Sequence, residues 1–160
     1  MRVPFFLLLL SSFLVGCRPF SHKKVGEKAP DFSLRELGAK KSVTLSSLNQ
    51  QNPVLLIFWA SWCPGCVEEI PLLNQWQHRY GPKGLKILGV NVEETEQEIV
   101  SFKKSQPVDY PILLDSEAAV ARDYGIVGLP ASIFLDRGGE ILYYGFSPPP
   151  NVDELLQKGR

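Results

Sequence analysis

Apolar residues fall into two kinds of pattern along this chain. Val54-Leu55-Leu56-Ile57-Phe58-Trp59 is a run of six, bounded by Pro53 and by Ala60-Ser61. A run of that length and make-up predicts a strand buried on both faces. Directly after it, Val67, Ile70, Leu73, Trp76 and Tyr80 recur every three to four residues, which predicts one face of a helix. Gly81-Pro82 is its stop signal. A second strand-like run covers residues 85–92. Residues 93–105 begin acidic and end with Lys103-Lys104, an order that complements a helix dipole. Residues 110–114 read as a short strand. A helix is expected from an N-cap at Ser116 to about residue 124, with Gly125 as its stop.

The two ends of the pattern are hairpins. Phe32, Leu34, Val43 and Leu45 alternate with polar neighbours around Gly38-Ala39-Lys40-Lys41, and a single helical turn is expected at 46–49. Residues 132–135 and 141–144 read as strands joined through Asp136-Arg137-Gly138-Gly139. After Pro148-Pro149-Pro150, Asn151 is expected to cap a short last helix. Strands alternating with helices, then a closing hairpin, predict one α/β domain with helices on both sides of a sheet.

The first residues follow a different rule. Arg2 is followed by the nearly unbroken apolar stretch 5–16. That is short of the roughly 20 apolar residues a membrane-spanning helix needs, so it reads as the core of a signal peptide, with a short uncleaved anchor as the alternative. Leu14-Val15-Gly16-Cys17 resembles the lipobox of bacterial lipoproteins. The resemblance implies a signal peptide over 1–16, a lipid on Cys17 and a short polar tether over 17–24, leaving 25–160 as the folded domain. Each buried lipid CH₂ adds about 0.8 kcal/mol of anchoring. Ordinary cleavage with Cys17 as a free thiol remains the other reading. The cysteine count is 3, an odd number, and lipidation would leave Cys63 and Cys66 as a pair.

Composition narrows the function classes. With 44% hydrophobic and 21% charged residues, the 160-residue chain is an ordinary globular protein large enough for a real core. Lys plus Arg equals Asp plus Glu at 17 each with no basic block, so no nucleic-acid partner is expected.

Cys63-Pro64-Gly65-Cys66 falls where the buried strand meets the amphipathic helix. A helix N-terminus offers unpaired N–H groups and about half a positive charge, and both favour a thiolate. Cys63, at the helix mouth, is the expected nucleophile. Cys66, one turn further on the same face, is the expected resolving thiol. A closed zinc site takes four ligands, while only His78 could join the two cysteines. A c-type haem needs His directly after the second Cys, and Val67 stands there. A purely structural disulfide would close a very small loop. No metal or other cofactor is expected.

The segment Phe58-Trp59-Ala60-Ser61-Trp62-Cys63-Pro64-Gly65-Cys66 resembles the active-site segment of the thioredoxin superfamily, and more narrowly the membrane-tethered TlpA/ResA-like thiol–disulfide oxidoreductases. Gly26-Glu27-Lys28-Ala29-Pro30-Asp31-Phe32-Ser33-Leu34 and Val127-Gly128-Leu129-Pro130-Ala131-Ser132 are similar to theirs, as is the extra helix and strand between Val90 and Leu114. The resemblance implies a thioredoxin fold: a central mixed β-sheet flanked by helices, with an N-terminal β-hairpin and a central helix–strand insert. It implies that Pro130 is the cis-proline beside the cysteines and that the Leu129 backbone pairs with substrate. It also implies a helix kink at Pro71. Trp62, Pro64, Gly65, Leu129 and Pro130 are the expected substrate-contacting residues. Glu69 matches the family's glutamate near the active site and is expected to take the Cys66 proton or raise the thiol pKa values; a solvated glutamate early in a helix is the plainer reading. Where thioredoxins often carry a buried Asp, this chain has Ile57. The function so implied is reduction of disulfides in exported proteins, including in cytochrome c maturation. The partners are an exported disulfide-bearing protein, a membrane thiol-electron donor, and the membrane itself through Cys17. Two other classes stand beside it. A peroxiredoxin-like peroxidase would need Thr or Ser at position 60 and Pro at 56, where Ala60 and Leu56 stand. A Sco-type copper carrier would need a distal His, and no His follows His78.

Overall fold

In a computed structural model, residues 25–159 are described; the signal peptide, Cys17 and the tether expected at 1–24 lie outside them. Seven strands form one sheet in the order β2-β1-β5-β4-β3-β6-β7. They are β1 Ser33–Glu36, β2 Ser42–Thr44, β3 Val54–Trp59, β4 Lys86–Val92, β5 Ile112–Asp115, β6 Ala131–Leu135 and β7 Ile141–Gly145. β3, β4 and β5 run parallel, and the flanking pairs are antiparallel. The helices are α1 Leu45–Asn49, α2 Pro64–Tyr80, α3 Glu96–Ser105, α4 Ala119–Asp123 and α5 Val152–Lys158. This mixed sheet, with its leading hairpin and the helix–strand insert α3–β5, is the thioredoxin fold.

The apolar runs explain the layers. All six residues of β3 are buried because the strand is central and covered on both faces. Its side chains alternate between two cores. Leu55, Ile57 and Trp59 meet Ile70 and Leu73 of α2, Ile99 of α3 and Leu155 of α5. Leu56 and Phe58 meet Leu45 of α1 and Val120 of α4. Truncating a ring such as Phe58, fully buried, would cost about 3–5 kcal/mol. On α2, Ile70, Leu73 and Tyr80 are buried as the helical period requires, while Trp76 is half-buried at its edge. Pro71 lies inside this helix. The Tyr80 hydroxyl donates to Asp153 at 3.0 Å, tying α2 to α5.

Two local expectations change, and one contact is new. Ser116 does not cap α4. Ala118 stands at its N-cap with φ 51°, and the buried carboxylate of Asp115 accepts from the Val120 and Ala121 amides at 3.2 and 2.8 Å. A carboxylate one position earlier, at the strand's end, already reaches the free amides of the first turn. Asn151 flanks α5 without a side-chain cap, its amide donating instead to Glu154 at 3.0 Å. The segment before β1 pairs with the far end of the sheet: the Gly26 amide donates to the Ile141 carbonyl, and the Ile141 amide to Glu27, both at 2.9 Å. No helix among the described residues is long and apolar enough to cross a membrane.

Candidate active site

The site forms where the centre of the sheet meets the start of its longest helix. β3 ends at Trp59, and the chain turns through Ala60-Ser61-Trp62, closed by the Cys63 amide donating to the Ala60 carbonyl at 3.2 Å. Cys63 is the N-cap of α2. Its Sγ accepts from the Cys66 amide at 3.3 Å, and Pro64, which has no N–H to satisfy, begins the helix. The helix thus aims an amide and its positive end at the sulfur, the environment that stabilises a thiolate. Cys63 and Cys66 are joined as a disulfide with their Cα atoms 5.3 Å apart. Both are buried, and they belong to the same apolar layer as Ile70 and Leu73.

The 127–132 loop comes to the same place. The Leu129–Pro130 bond is cis. Pro130 Cδ lies 3.5 Å from the point a Cβ on Gly65 would occupy, so the proline packs directly over the turn between the cysteines. Trp62, directly before Cys63, is 66% exposed, and Val127 and Phe146 are also exposed large apolar residues. Cys63, Pro64, Gly65, Cys66 and Pro130 are therefore brought together, with Trp62 at the rim. His78 is not part of the group: it pairs with Asp109 at 2.9 Å, and twelve residues of helix, about 18 Å, separate it from Cys66.

Glu69 stands one turn beyond Cys66 and is half-buried. Its Oε2 is shielded from water and has no hydrogen-bond partner among the described residues. Burial raises its pKa to about 7. A carboxyl with that pKa can take up and release a proton near neutral pH. Position 57, a carboxylate in many thioredoxins, is apolar here and pairs across the sheet with the buried Ser132.

One part of the site was not foreseen. Glu94, in the loop after β4, is buried, and its carboxylate accepts from the Ser61 amide at 2.7 Å, the Ser61 hydroxyl, and Asn91 Nδ2 at 2.6 Å. It reaches the active-site turn from a loop 33 residues away in sequence. In the sequence it is one of many glutamates, and only an acid following a buried Asn91 at the end of a strand hinted at it.

A dithiol able to cycle at this junction of strand and helix is the working part of the thioredoxin fold, and the molecule is a thiol–disulfide oxidoreductase of that class. The model of the AhpC/TSA family matches residues 25–144, and the chain belongs to that family. Thiol-disulfide oxidoreductase ResA of Geobacillus thermodenitrificans is 32% identical over 146 residues, covering 88% of this chain and 83% of that protein. The thioredoxin-like protein YneN of Bacillus subtilis is 35% identical over 129 residues, 76% of this chain and 74% of its own. A crystal structure from Chlorobium tepidum, described as a thiol:disulfide interchange protein DsbE, superposes with TM-score 0.72 at 32% identity, covering 85% of this chain and 94% of that one. The peroxidase alternative gains nothing from the family's name: positions 60 and 56 are Ala60 and Leu56, both fully buried apolar residues.

Proposed function

We propose that this thiol–disulfide oxidoreductase works as a reductant of disulfides in exported proteins, held at the membrane by a lipid on Cys17. The observation that carries the reading is the Cys63–Cys66 pair at the mouth of α2 beside the cis Leu129–Pro130 bond, with the reductive direction taken from the resemblance of the 58–66 segment to the TlpA/ResA-like proteins. Burial raises the Glu69 carboxyl to about 7, so near neutral pH it can hold a proton one turn beyond Cys66.

The Cys63 thiolate attacks one sulfur of the substrate disulfide. A Cys63–substrate mixed disulfide forms, and the other substrate sulfur leaves as a thiolate and takes a proton. Cys66 passes its proton to Glu69 and attacks Cys63 Sγ. The Cys63–Cys66 disulfide forms and the second substrate sulfur departs. The departing thiolate takes the proton held by Glu69. The first one takes its proton from water, in exchange for the proton Cys63 gave up on ionising. Two electrons have moved to the substrate, and a dithiol donor must restore the electrons and protons before the next turnover. Trp62, Gly65, Leu129 and Pro130 form the contact surface for the substrate backbone around the reacting sulfurs. The similarity to ResA and DsbE supports cytochrome c maturation as the setting, and the lipobox-like Gly16-Cys17 supports an outward-facing lipoprotein.

The test is equilibration of the purified chain against a thiol–disulfide buffer, with the two states separated by thiol alkylation. A potential near that of thioredoxin, about −270 mV, is the expected result; one near that of DsbA, about −120 mV, would make the protein an oxidant.

A further inference from the structure

We propose that Glu94 is a positioning residue of the active site, clamping the Ala60–Cys63 turn through Ser61. This rests on the oxidoreductase reading for its consequence in catalysis, though not for its geometry.

The clamp is built from a rigid side. Glu93, directly before Glu94, has φ 59°, a left-handed conformation that a non-glycine residue keeps only where its surroundings hold it. Its amide donates to the Asp115 carbonyl at 3.2 Å. Thr95, directly after Glu94, caps α3 in a reciprocal pair with Glu98: the Thr95 amide donates to the Glu98 carboxylate at 2.7 Å, and the Glu98 amide to Thr95 Oγ1 at 3.3 Å. Between these fixed neighbours the Glu94 side chain turns inward, 5% exposed. Asn91, fully buried on β4, holds one carboxylate oxygen.

The other side is the turn itself. Ser61 gives both of its donors to Glu94. The turn has only one internal hydrogen bond, from the Cys63 amide to Ala60. With Ser61 tied down, Trp62 is left facing solvent and Cys63 is delivered to the N-cap of α2. Charge-assisted bonds from a buried carboxylate are roughly twice as strong as neutral ones, and a site is as precise as the shell supporting it. Trp62 and Phe102 flank the groove above, with Glu94 and Ser61 lining it.

The purified chain is compared as wild type, Glu94→Ala, Glu94→Gln and Ser61→Ala. Asn49→Ala serves as the control, a buried polar residue at the opposite end of β3 whose amide holds the Asp136 carbonyl. The reduced chain is reacted with a small aromatic disulfide, and the melting temperature is recorded beside the rate. Glu94→Ala is expected to slow exchange at Cys63 by roughly tenfold or more, because misplacing a reacting group by about 1 Å is enough for that. Glu94→Gln, whose amide can keep the Ser61 and Asn91 contacts, recovers most of the rate. Asn49→Ala lowers the melting temperature and leaves the rate unchanged. The proposal is overturned if Glu94→Ala loses thermal stability as the control does and exchanges at the wild-type rate. Should Glu94→Ala not fold, Ser61→Ala decides: it removes one bond of the clamp and must slow exchange, and a wild-type rate refutes the clamp. If the wild-type pair itself fails to cycle, the oxidoreductase reading falls. The clamp is then judged by amide hydrogen exchange at Ser61 and Cys63, which must speed up in Glu94→Ala.

Discussion

Burial, and after it the nearby carboxylate of Glu69, hold the Tyr110 phenol well above its ordinary ionisation range. The same apolar layer raises Glu69 to about 7 from an ordinary 4.5. A carboxyl whose folded pKa is raised favours the folded state most while it is protonated, below its unfolded pKa. That contribution is lost as pH rises through the folded value. Between about pH 4.5 and pH 7 the folded disulfide form therefore binds more protons than the unfolded chain, and stability falls with rising pH. Glu69→Gln is expected to flatten this dependence, matching wild type at the acid end and exceeding it at pH 8. Urea unfolding of the oxidised protein across that range checks it; an unchanged slope would place the carboxyl in water.

Gly89 has a packing reason to be glycine. A Cβ there would lie 2.9 Å from both Trp59 Nε1 and Tyr110 Cε2. Both rings are buried in the layer beneath α2, where neither can retreat. Gly89→Ala is expected to destabilise the domain by about 1–3 kcal/mol, the usual cost of overpacking. Thermal unfolding of the oxidised form measures it, and a neutral effect would show that this layer has room to spare.

The contrast between these residues marks what the sequence could disclose. The β3–α2 junction was readable because every signal there is local: an unbroken apolar run, a helical period, Pro64 at the first helical position and two cysteines three apart. The helix–strand insert and both hairpins were readable for the same reason, through period, charge order and turn residues. What was not readable depends on contacts between distant segments. The 26–29 segment finds β7 across the sheet. Glu94 finds Ser61. Asp115 takes the capping place expected of Ser116. None of these changes a period or a composition, so only the assembled sheet discloses them. Cys63, Cys66 and Pro130 meet because β3 and β6 are neighbours, an adjacency that resemblance implied and spacing alone did not.

Asp115 gives a stability test of that kind. Its side chain is 2% exposed and accepts from two amides of α4, while its carbonyl accepts from Glu93 and Ala118. Asp115→Ala leaves the Val120 and Ala121 amides buried and unpaired, a loss of about 1–3 kcal/mol. Asp115→Asn keeps an acceptor oxygen and is expected to lose less. Equal losses in the two variants would mean that charge, and not hydrogen bonding, sets the contribution.

The division of labour between the two cysteines is the most direct functional test. Cys63 Sγ receives the Cys66 amide and the positive end of α2, whereas Cys66 is one turn inside the helix among Ile70 and Leu73. Only Cys63 has an environment that favours a free thiolate at neutral pH. Cys66→Ala is therefore expected to form a mixed disulfide with a disulfide-bearing peptide and to hold it, because no neighbouring thiol remains to displace the peptide. Cys63→Ala is expected to react far more slowly and to trap almost nothing. Mass spectrometry of each variant after incubation with the peptide, before and after reduction, reads the adduct. If the Cys63→Ala protein trapped peptide as fast as the Cys66→Ala protein, the helix mouth would not select the nucleophile, and the two roles would have to be exchanged.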